Sequence, residues 1–560
     1  MGPRQGEGYL FNVHDVFGMM GQFSRDEMLV EHYTALEENA AVGEIAQHLR
    51  VHGDPDYLGG WARQIGTQLT EGIHDYAREH FLGERTFGML VVPDRNPRLP
   101  AASAAQGDLP PPSLDGAWTP PARSILEVAR APGFDKVQRR RLANGLEVIA
   151  ARRGATPVAE VKIAFRTEMD GTAAFPAGTA ALALSTLTPP RMIELEKVQY
   201  GIRAWQARGP GWVIRTERGS AGNLDKILEF AGRWVRNSSM GDRLGRMKDE
   251  YARSLSYGRK RPAALAQEEF LATLFPGSPL GASMTEASVR SVTSAQVDDW
   301  AEASLRPERA TLLVVSSIEP DAELWSAIES EFGGWKGSGK AREPVAVDPA
   351  PPAARTLVLV DQPGATQPLI QVGVASPPGS GRDDAARETL ATYLAWTLQR
   401  QLRMENGVTY GISARWLDRG FADPLLLSVA VADGALVPSL RAILDTVAAT
   451  AAKPAPALDV QRARWKVARE LTLGFDTVRT SGGELADMSL RRRPPDFWER
   501  FPASLATVDP ARVEASARAL AVGHEAIVIA GDAARIRPML EKAGFRVDRV
   551  VASPGATATR

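Results

Sequence analysis

The chain has 560 residues, and its 66 Lys plus Arg and 67 Asp plus Glu leave a net charge of −1. This balance gives no overall basic bias toward nucleic acid, and the absence of cysteine excludes disulfides and thiolate metal ligands. No run of about 18 apolar residues predicts a membrane span, and the first residues lack the apolar segment of a secretory signal. The length predicts three or four domains.

Two linkers divide the chain into three pieces. Residues 1–97 have a mostly helical pattern that begins almost at once, as if the chain started partway through a domain. A Pro-rich linker is predicted at 98–133, where the composition favours an extended, poorly packed connection. A second Gly/Pro-rich connection lies near 336–354. We therefore expect a truncated domain at 1–97 and two full domains at 134–345 and 353–560.

The second and third pieces begin alike. Each has an apolar run, a Gly-Ala-Thr turn at 154–156 or 364–366, a proline and an alternating strand, a pattern that predicts a β-hairpin. All three pieces end with a helix that leads into a short apolar strand. These likenesses predict an internal repeat of about 210 residues, with two full copies and a truncated N-terminal copy.

Strands are grouped with long helices rather than alternating strictly with them. This arrangement predicts an α+β fold in which each repeated domain is an antiparallel sheet with helices packed on one face. In the second piece, strands are expected near Ala204 and over 212–216. A helix over 224–235 follows, with Ile227 and Trp234 on its apolar face.

The stretch 383–416 carries the most informative pattern of the third piece. Apolar residues at three-to-four spacing predict one buried helix face, and an Asn-Gly pair predicts the end of that helix. Residues 408–414 are typical of a strand. The turn would bring Arg403 and Tyr410 to one spot, as donors suited to a peptide carbonyl or a carboxylate. The alternative is that Arg403 caps helix carbonyls and Tyr410 is a core residue.

Three further patterns each leave two interpretations. His48 and His52 fit a surface or packed helix, or a metal site that lacks an evident third ligand. The arginine run at 491–493 is typical of a solvated loop, with a polyanion site as the alternative. Core or interface packing, with peptide stacking as the alternative, is expected of the tryptophans, among them Trp205, Trp212 and Trp300.

Three segments make the chain similar to a known family: 141–148 (RLANGLEV), 274–315 and 403–410 (RMENGVTY). With them, the chain resembles the insulinase, pitrilysin and mitochondrial processing peptidase family of zinc metallopeptidases over nearly its whole length. Residues 1–97 resemble the closing third of one such domain. The resemblance implies four homologous α+β domains, on one chain or two, that enclose a peptide-sized chamber. It also implies that Arg403 and Tyr410 bind the substrate backbone opposite the zinc.

The zinc motif of that family is absent from this chain. The family binds the metal with His-x-x-Glu-His on a helix, in which two imidazoles are ligands and the glutamate is the general base. The corresponding positions here are Ala181, Leu184 and Ser185, and the region of the family's distant Glu ligand corresponds to 250–255. The resemblance therefore implies no catalytic residue, no metal ligand and no cofactor in this chain, with zinc on a catalytic partner half.

Two functions follow from the resemblance. The first is the non-zinc half of a metalloendopeptidase, which forms part of the chamber and binds peptide for a zinc-bearing homologous half or subunit. The second is a non-enzymatic scaffold or peptide-binding subunit of a larger complex. Both leave open the substrate sequence, the oligomeric state, a periplasmic or cytoplasmic location, and whether the chain is a natural subunit or a fragment of a four-domain enzyme.

Overall fold

The structure is a computed structural model, and it describes residues 27–37, 121, 124–128, 137–187, 196–236, 243–259, 262–337, 347, 350–376, 383–417 and 423–552, with single positions between 43 and 63. Most residues of the predicted pieces 1–97 and 98–133 lie outside the described ranges, as do His48 and His52. What the sequence predicts for those residues stays a prediction. A helix over 27–36 is the main described element of the first piece.

A six-stranded sheet forms the centre of the first half, which we define as residues 137–337. Its strand order is β1-β2-β6-β3-β5-β4. Side chains of β2 and β3 are buried on both faces of this sheet, and they divide between two apolar clusters, one on each face. The strands are β1 Val137–Arg141, β2 Glu147–Arg152, β3 Val158–Arg166, β4 Arg203–Gly209, β5 Trp212–Ser220 and β6 Ala310–Ser316.

A second six-stranded sheet forms the centre of the second half, residues 350–552. Its order is β12-β7-β11-β8-β10-β9. The last five strands of this order, from β7 to the edge strand β9, match β2 to β4 of the first sheet in their sequence along the chain. The remaining edge strand differs, because β1 comes at the start of its half and β12 at the end of its half. The strands are β7 Thr356–Asp361, β8 Leu369–Val374, β9 Ile412–Trp416, β10 Leu425–Ala430, β11 Ala526–Gly531 and β12 Arg549–Ala552.

Helices account for most of the remaining described residues. A short helix, α1 Ile125–Val128, precedes the first half. The first half contains α2 Thr179–Thr186, α3 Leu224–Arg236, α4 Leu244–Gly258, α5 Pro262–Leu274, α6 Glu286–Ser291, α7 Ser294–Ser304 and α8 Ala322–Phe332. The second half contains α9 Asp384–Gln399, α10 Leu436–Ala452, α11 Ala457–Leu473, α12 Val478–Leu490, α13 Phe497–Ala506, α14 Pro510–Arg518 and α15 Ala533–Lys542. This mixture confirms the predicted α+β class.

The two predicted hairpins are wrong. Strand β6 lies between β2 and β3, parallel to β2 and antiparallel to β3, and β11 lies in the same way between β7 and β8. The parallel pairs make both sheets mixed rather than purely antiparallel. The physical reason is that β2 is apolar on both faces, with Ile149 and Ala150 both buried, as suits a strand with a neighbour on each side. A turn signal in the sequence cannot show that a distant strand enters between the two.

Several predicted elements are confirmed. Strands β4 and β5 occur where strands were expected, and α3 runs over Leu224–Arg236 with Ile227 and Trp234 buried. The second half contains the predicted helix from residue 384. Periodic apolar residues fix such helices because only one face can be removed from water.

Each half covers one face of its sheet with its own helices and receives a helix from the other half on the second face. Helix α12 of the second half packs on β3 and β6, and α5 of the first half packs on β7, β8 and β11. Phe270 and Leu274 of α5 accordingly belong to the same apolar cluster as Val358 and Val528 of the second sheet. The two halves therefore share cores rather than a thin interface.

One helix among the described residues, Asp433–Ala452, is long and apolar enough to cross a membrane by length and composition. Core helices meet the same criteria. Its residues Leu436, Leu440, Ile443 and Val447 are buried in the apolar core of the second half.

Candidate functional site

Helix α9, which leads into the turn with Arg403 and Tyr410, is fixed at its beginning by a charged N-cap. The Asp383 carboxylate accepts a hydrogen bond of 3.1 Å from the backbone N–H of Ala386 and two of 2.8 Å from the Arg512 guanidinium. The pKa of Asp383 is lowered: burial alone would raise it, but the bonds from Arg512 and Ala386 outweigh that effect. The cap thus holds α9 against α14.

The buried face of α9 continues past the end of its α-helical part. Leu390, Leu394, Leu398 and Leu402 are all buried, which confirms the predicted apolar spacing. Residues Arg400–Glu405 form a π-helical turn. Wider turns of this kind commonly occur at functional sites.

The predicted Asn-Gly end of this helix is confirmed. Gly407 has φ +63°, and the Gly407 and Val408 N–H groups bond the carbonyls of Arg403 and Leu402 at 3.0 and 2.9 Å. These bonds satisfy the last carbonyls of the helix. The strand that follows begins later than predicted, at Ile412 instead of residue 408.

The later start of β9 has a local cause. The Thr409 hydroxyl donates to the carbonyl of Ala430 at 2.7 Å and accepts from the N–H of Gly411 at 3.2 Å. This side chain replaces ladder bonds that a regular strand would make. Tyr410 therefore lies on a turn between the helix and β9, not on the strand itself.

Arg403 and Tyr410 both lie at the surface. Tyr410 is 88% exposed, and Arg403 is exposed on the π-helical turn. Neither side chain has a hydrogen bond or ion pair with another residue in the described part of the chain. The alternative that Tyr410 is a core residue is wrong, whereas the peptide-binding role of the pair stays a prediction.

A groove of about 540 Å³ lies beside this turn. Helices α9 and α11 form its walls, and β9 supplies Ile412, Ser413 and Trp416. Strand β9 is the edge of the second sheet and pairs only with β10 among the described strands. Gln399 connects the groove to the turn, because its side-chain oxygen accepts from the N–H of Ile412 at 3.1 Å.

The groove carries both aromatic and charged side chains. The Arg387 guanidinium lies 3.7 Å from the ring centroid of Trp416, and Trp416 donates its indole N–H to the carbonyl of Arg387 at 2.9 Å. Burial, and then the charge of Asp384, raises the pKa of Glu388. Edge-strand backbone groups next to such rings suit an extended peptide.

The positions of the degenerate zinc motif lie on α2. Ala181 and Leu184 are buried, and the Ser185 hydroxyl lies 2.9 Å from the Tyr251 hydroxyl of α4. The structure thus brings together 181–185 and 250–255, the two regions that the resemblance predicts to correspond to the family's ligands. Two aliphatic side chains and a pair of hydroxyls supply neither a metal ligand nor a general base of the zinc-peptidase kind. Among the described residues, no group of three or more His, Asp or Glu is placed to hold a metal ion.

The predicted packing of the tryptophans is confirmed in part. Trp300 is fully buried and donates to the carbonyl of Glu168 at 3.0 Å. Trp205 is 39% exposed and lies beneath the Arg218 guanidinium, 5.0 Å from its ring centroid.

The prediction of a solvated loop at 491–493 is wrong for two of its three arginines. Arg491 is paired with Asp423 at 2.6 Å, and Arg493 lies 4.2 Å from the ring centroid of Phe497. Both are mostly buried, because the loop lies against helices of its own half. Arg492 alone is exposed.

Comparisons with known proteins agree with this architecture. Residues 291–467 match the model described as the peptidase M16 inactive domain. A peptidase M16 inactive domain from Pseudomonas fluorescens is 18% identical, with a TM-score of 0.62 over 70% of this chain and 98% of that chain. A protease from Helicobacter pylori is 13% identical, with a TM-score of 0.64 over 71% of this chain and 99% of that chain. No curated protein matches the sequence.

A third solved structure has a different setting. It is Complex III2 from Candida albicans, a chain of which is 13% identical, with a TM-score of 0.59 over 71% of this chain and 96% of that chain. At these identities the structural likenesses show the fold alone.

Proposed function

We propose that the chain is the non-zinc half of a metalloendopeptidase and binds peptide for a zinc-bearing half, because residues 291–467 match the model of the peptidase M16 inactive domain and the fold is similar to that of a solved M16 inactive domain. The observation that carries this proposal is the exposed pair Arg403 and Tyr410 on a rigid turn, beside an edge strand and a groove. The positions Ala181, Leu184 and Ser185 offer no zinc ligand or general base of this kind, which supports the proposal that the cutting chemistry lies on the other half.

The internal hydrogen bonds of the turn do not involve the side chains of Arg403 and Tyr410. Leu402 anchors it in the core, and the Thr409 hydroxyl and the Gly407 backbone supply its internal hydrogen bonds. A rigid support lowers the entropy lost when a ligand is bound. The guanidinium and the phenol stay available for an external acceptor.

In the proposed role, both side chains donate hydrogen bonds to the peptide backbone. The zinc of the catalytic half would supply an activated water for attack on the scissile carbonyl. The Arg403 guanidinium offers a planar fork and a full charge, and the Tyr410 hydroxyl offers one donor. Donors aimed at a carbonyl oxygen stabilise the negative charge that develops there. Peptide residues outside the scissile bond would lie along β9.

Substitution of the pair tests the proposal. In the complex with a His-x-x-Glu-His partner, Arg403→Ala and Tyr410→Phe should each lower kcat/KM for peptide hydrolysis by roughly 100- to 1000-fold, the range for loss of one such donor. The matched control is Arg400→Ala, because Arg400 lies on the same turn and is ion-paired with Glu405 at 3.7 Å. Full activity in both pair variants would refute the role of the turn.

A scaffold is the second candidate, and the similarity to a chain of Complex III2 favours it. A scaffold would keep its assembly and lose nothing when Arg403 and Tyr410 are replaced. Size-exclusion chromatography of the complex, run on the same variants as the hydrolysis assay, separates the two roles. Intact assembly with lost turnover supports peptide binding, whereas intact assembly with unchanged turnover supports the scaffold.

A further inference from the structure

A cleft between the two halves collects arginines from distant parts of the sequence. Its volume is about 390 Å³. Strands β1 and β3 of the first half supply one wall, and the loop after α12 of the second half supplies the other. We call it the arginine cleft, and its charged lining residues are Arg139, Arg141, Glu147, Arg166, Arg492 and Arg493.

Positive charge in the arginine cleft is not balanced by the residues that line it. Arg139 lies 3.9 Å from Glu147, the one carboxylate of the lining. Arg493 is paired with Asp487 at 3.4 Å and with Asp384 at 3.7 Å. Arg141, Arg166 and Arg492 have no ion pair with any residue in the described ranges. Three guanidinium groups are therefore left for an external anion.

Burial makes this excess of charge unfavourable in the empty cleft. The pKa of Arg166 is lowered, first by burial and then by the charge of Arg492. Burial likewise lowers the pKa of Arg139, and Glu147 offsets only part of that effect. Like charges held close together, with Arg166 partly removed from water, destabilise the fold unless a ligand neutralises them.

The backbone conformation of Arg492 also supports a ligand-binding role for its side chain. Arg492 has φ +51° and is the one non-glycine residue with positive φ among the described residues. The N–H of Arg493 bonds the carbonyl of Met488 at 2.9 Å, which closes the end of α12 in the pattern that usually has glycine at this position. A large cation at a position suited to glycine costs stability, and such strain is common where the side chain serves a ligand.

We propose that the arginine cleft binds a small multivalent oxoanion, of the phosphate or the carboxylate kind. Guanidinium groups bind such oxygens in pairs of parallel hydrogen bonds. Because the two walls belong to different halves, a bound anion would join Arg166 of the first half to Arg492 of the second. The anion would thereby stabilise the contact between the two halves. This inference does not depend on the peptide-binding role of Arg403 and Tyr410.

Thermal unfolding and calorimetry of the full chain test the proposal, with tripolyphosphate and citrate as separate probes. Sodium chloride at matched ionic strength is the control for screening. At least one of the two oxoanions should bind saturably and raise Tm more than sodium chloride does, and the one that binds identifies the kind of anion. If neither exceeds the chloride control, the proposal is overturned.

Substitutions within the arginine cleft sharpen the test. Arg166→Gln and Arg492→Gln should each weaken binding of the effective probe roughly tenfold or more, since each removes charge-assisted hydrogen bonds. Without the probe, Arg492→Gln should leave Tm unchanged or higher, because it removes repulsion with Arg166. The control is Arg546→Gln, which changes an exposed arginine beside the opposite sheet.

Two outcomes of the substitutions decide the matter. Undiminished probe affinity in both Arg166→Gln and Arg492→Gln overturns the proposal. If Arg166→Gln fails to fold, Arg141→Gln replaces it, because Arg141 is exposed and contributes little to packing. Weakened binding in Arg141→Gln and Arg492→Gln but not in Arg546→Gln supports the site.

Discussion

The two sheets have the same inner strand order, and each is covered by a helix from the other half. The surfaces that these two helices contact differ. Where α5 covers the second sheet, the contact is mainly apolar, with Phe270 and Leu274 against Val358 and Val528. Two polar contacts accompany it, the 3.3 Å hydrogen bond between the side chains of Gln371 and Gln267 and the ion pair of Arg549 with Glu269. Apolar packing makes up the rest of this contact.

Where α12 covers the first sheet, apolar residues share the surface with buried charges. The Glu160 carboxylate is fully buried and pairs with Lys162 at 2.6 Å and with Arg218 at 2.5 Å. The Gly482 position of α12 lies directly above them, since a Cβ there would be 2.8 Å from the Lys162 side chain. The same architecture thus tolerates an interface that depends on packing and another that also depends on charge balance.

The largest effect is expected from a cavity in the apolar contact. Phe270→Ala removes a fully buried ring that lies close enough to Gly373 to leave no room for a Cβ there. It should lower the free energy of unfolding by about 3–5 kcal/mol, as large-to-small core substitutions do. Urea unfolding followed by circular dichroism measures the change. A loss below about 1 kcal/mol would show that α5 is not packed on the second sheet.

Loss of the Glu160 carboxylate should destabilise the charged contact between α12 and the first sheet. Glu160→Gln leaves Lys162 and Arg218 buried without a counter-charge, and the expected loss is about 3 kcal/mol. The measurement is the same urea titration. Joint replacement of Glu160 and Lys162 by Gln and Met removes one charge of each sign and should recover part of the loss. An additive double variant would contradict a role for charge balance.

A smaller effect is expected from the pH dependence of α12. Burial, and then the charge of Asp487, raises the pKa of Glu484 to about 7 from its ordinary value of 4.5. The folded state therefore binds more protons than the unfolded state between these two pKa values, and stability is full below the lower one and falls as the pH rises through the higher one. Glu484→Gln should add about 1–2 kcal/mol at pH 8 and nothing at pH 4.

Unfolding of wild type and Glu484→Gln across that pH range provides the check. Glu541→Gln on α15, where Glu541 is about half exposed and paired with Arg537, is the matched control and should show no such pH dependence. Equal curves for wild type and Glu484→Gln would contradict the raised pKa.

Sequence patterns predicted the elements best where one segment determines its own structure. Helix α9 was predictable because Leu390, Leu394 and Leu398 recur on one face and an Asn-Gly pair ends the turn that follows. The fold class followed from the grouping of such helices with strands. The positions of the zinc motif rest on the resemblance and stay a prediction, although the structure places Ser185 against Tyr251 of the second predicted region.

Features that depend on distant segments were not predictable. The hairpins failed because β6 and β11 enter between strands that are neighbours in sequence. The exchange of α5 and α12 has no local signal, since a helix face shows that it is buried but not what buries it. The polyanion alternative at 491–493 pointed to one wall of the arginine cleft, but the other wall was not predictable, because Arg139 and Arg166 meet Arg492 only after both halves have folded.

The central claim is that this chain binds peptide but cannot cut it. The most direct measurement is hydrolysis of a fluorogenic peptide by the purified chain alone, by a His-x-x-Glu-His partner alone, and by the two mixed, each with and without a metal chelator. We predict that the chain alone is inactive and that mixing raises chelator-sensitive turnover above that of the partner alone. Chelator-sensitive hydrolysis by the chain alone, or no gain on mixing, would contradict the claim.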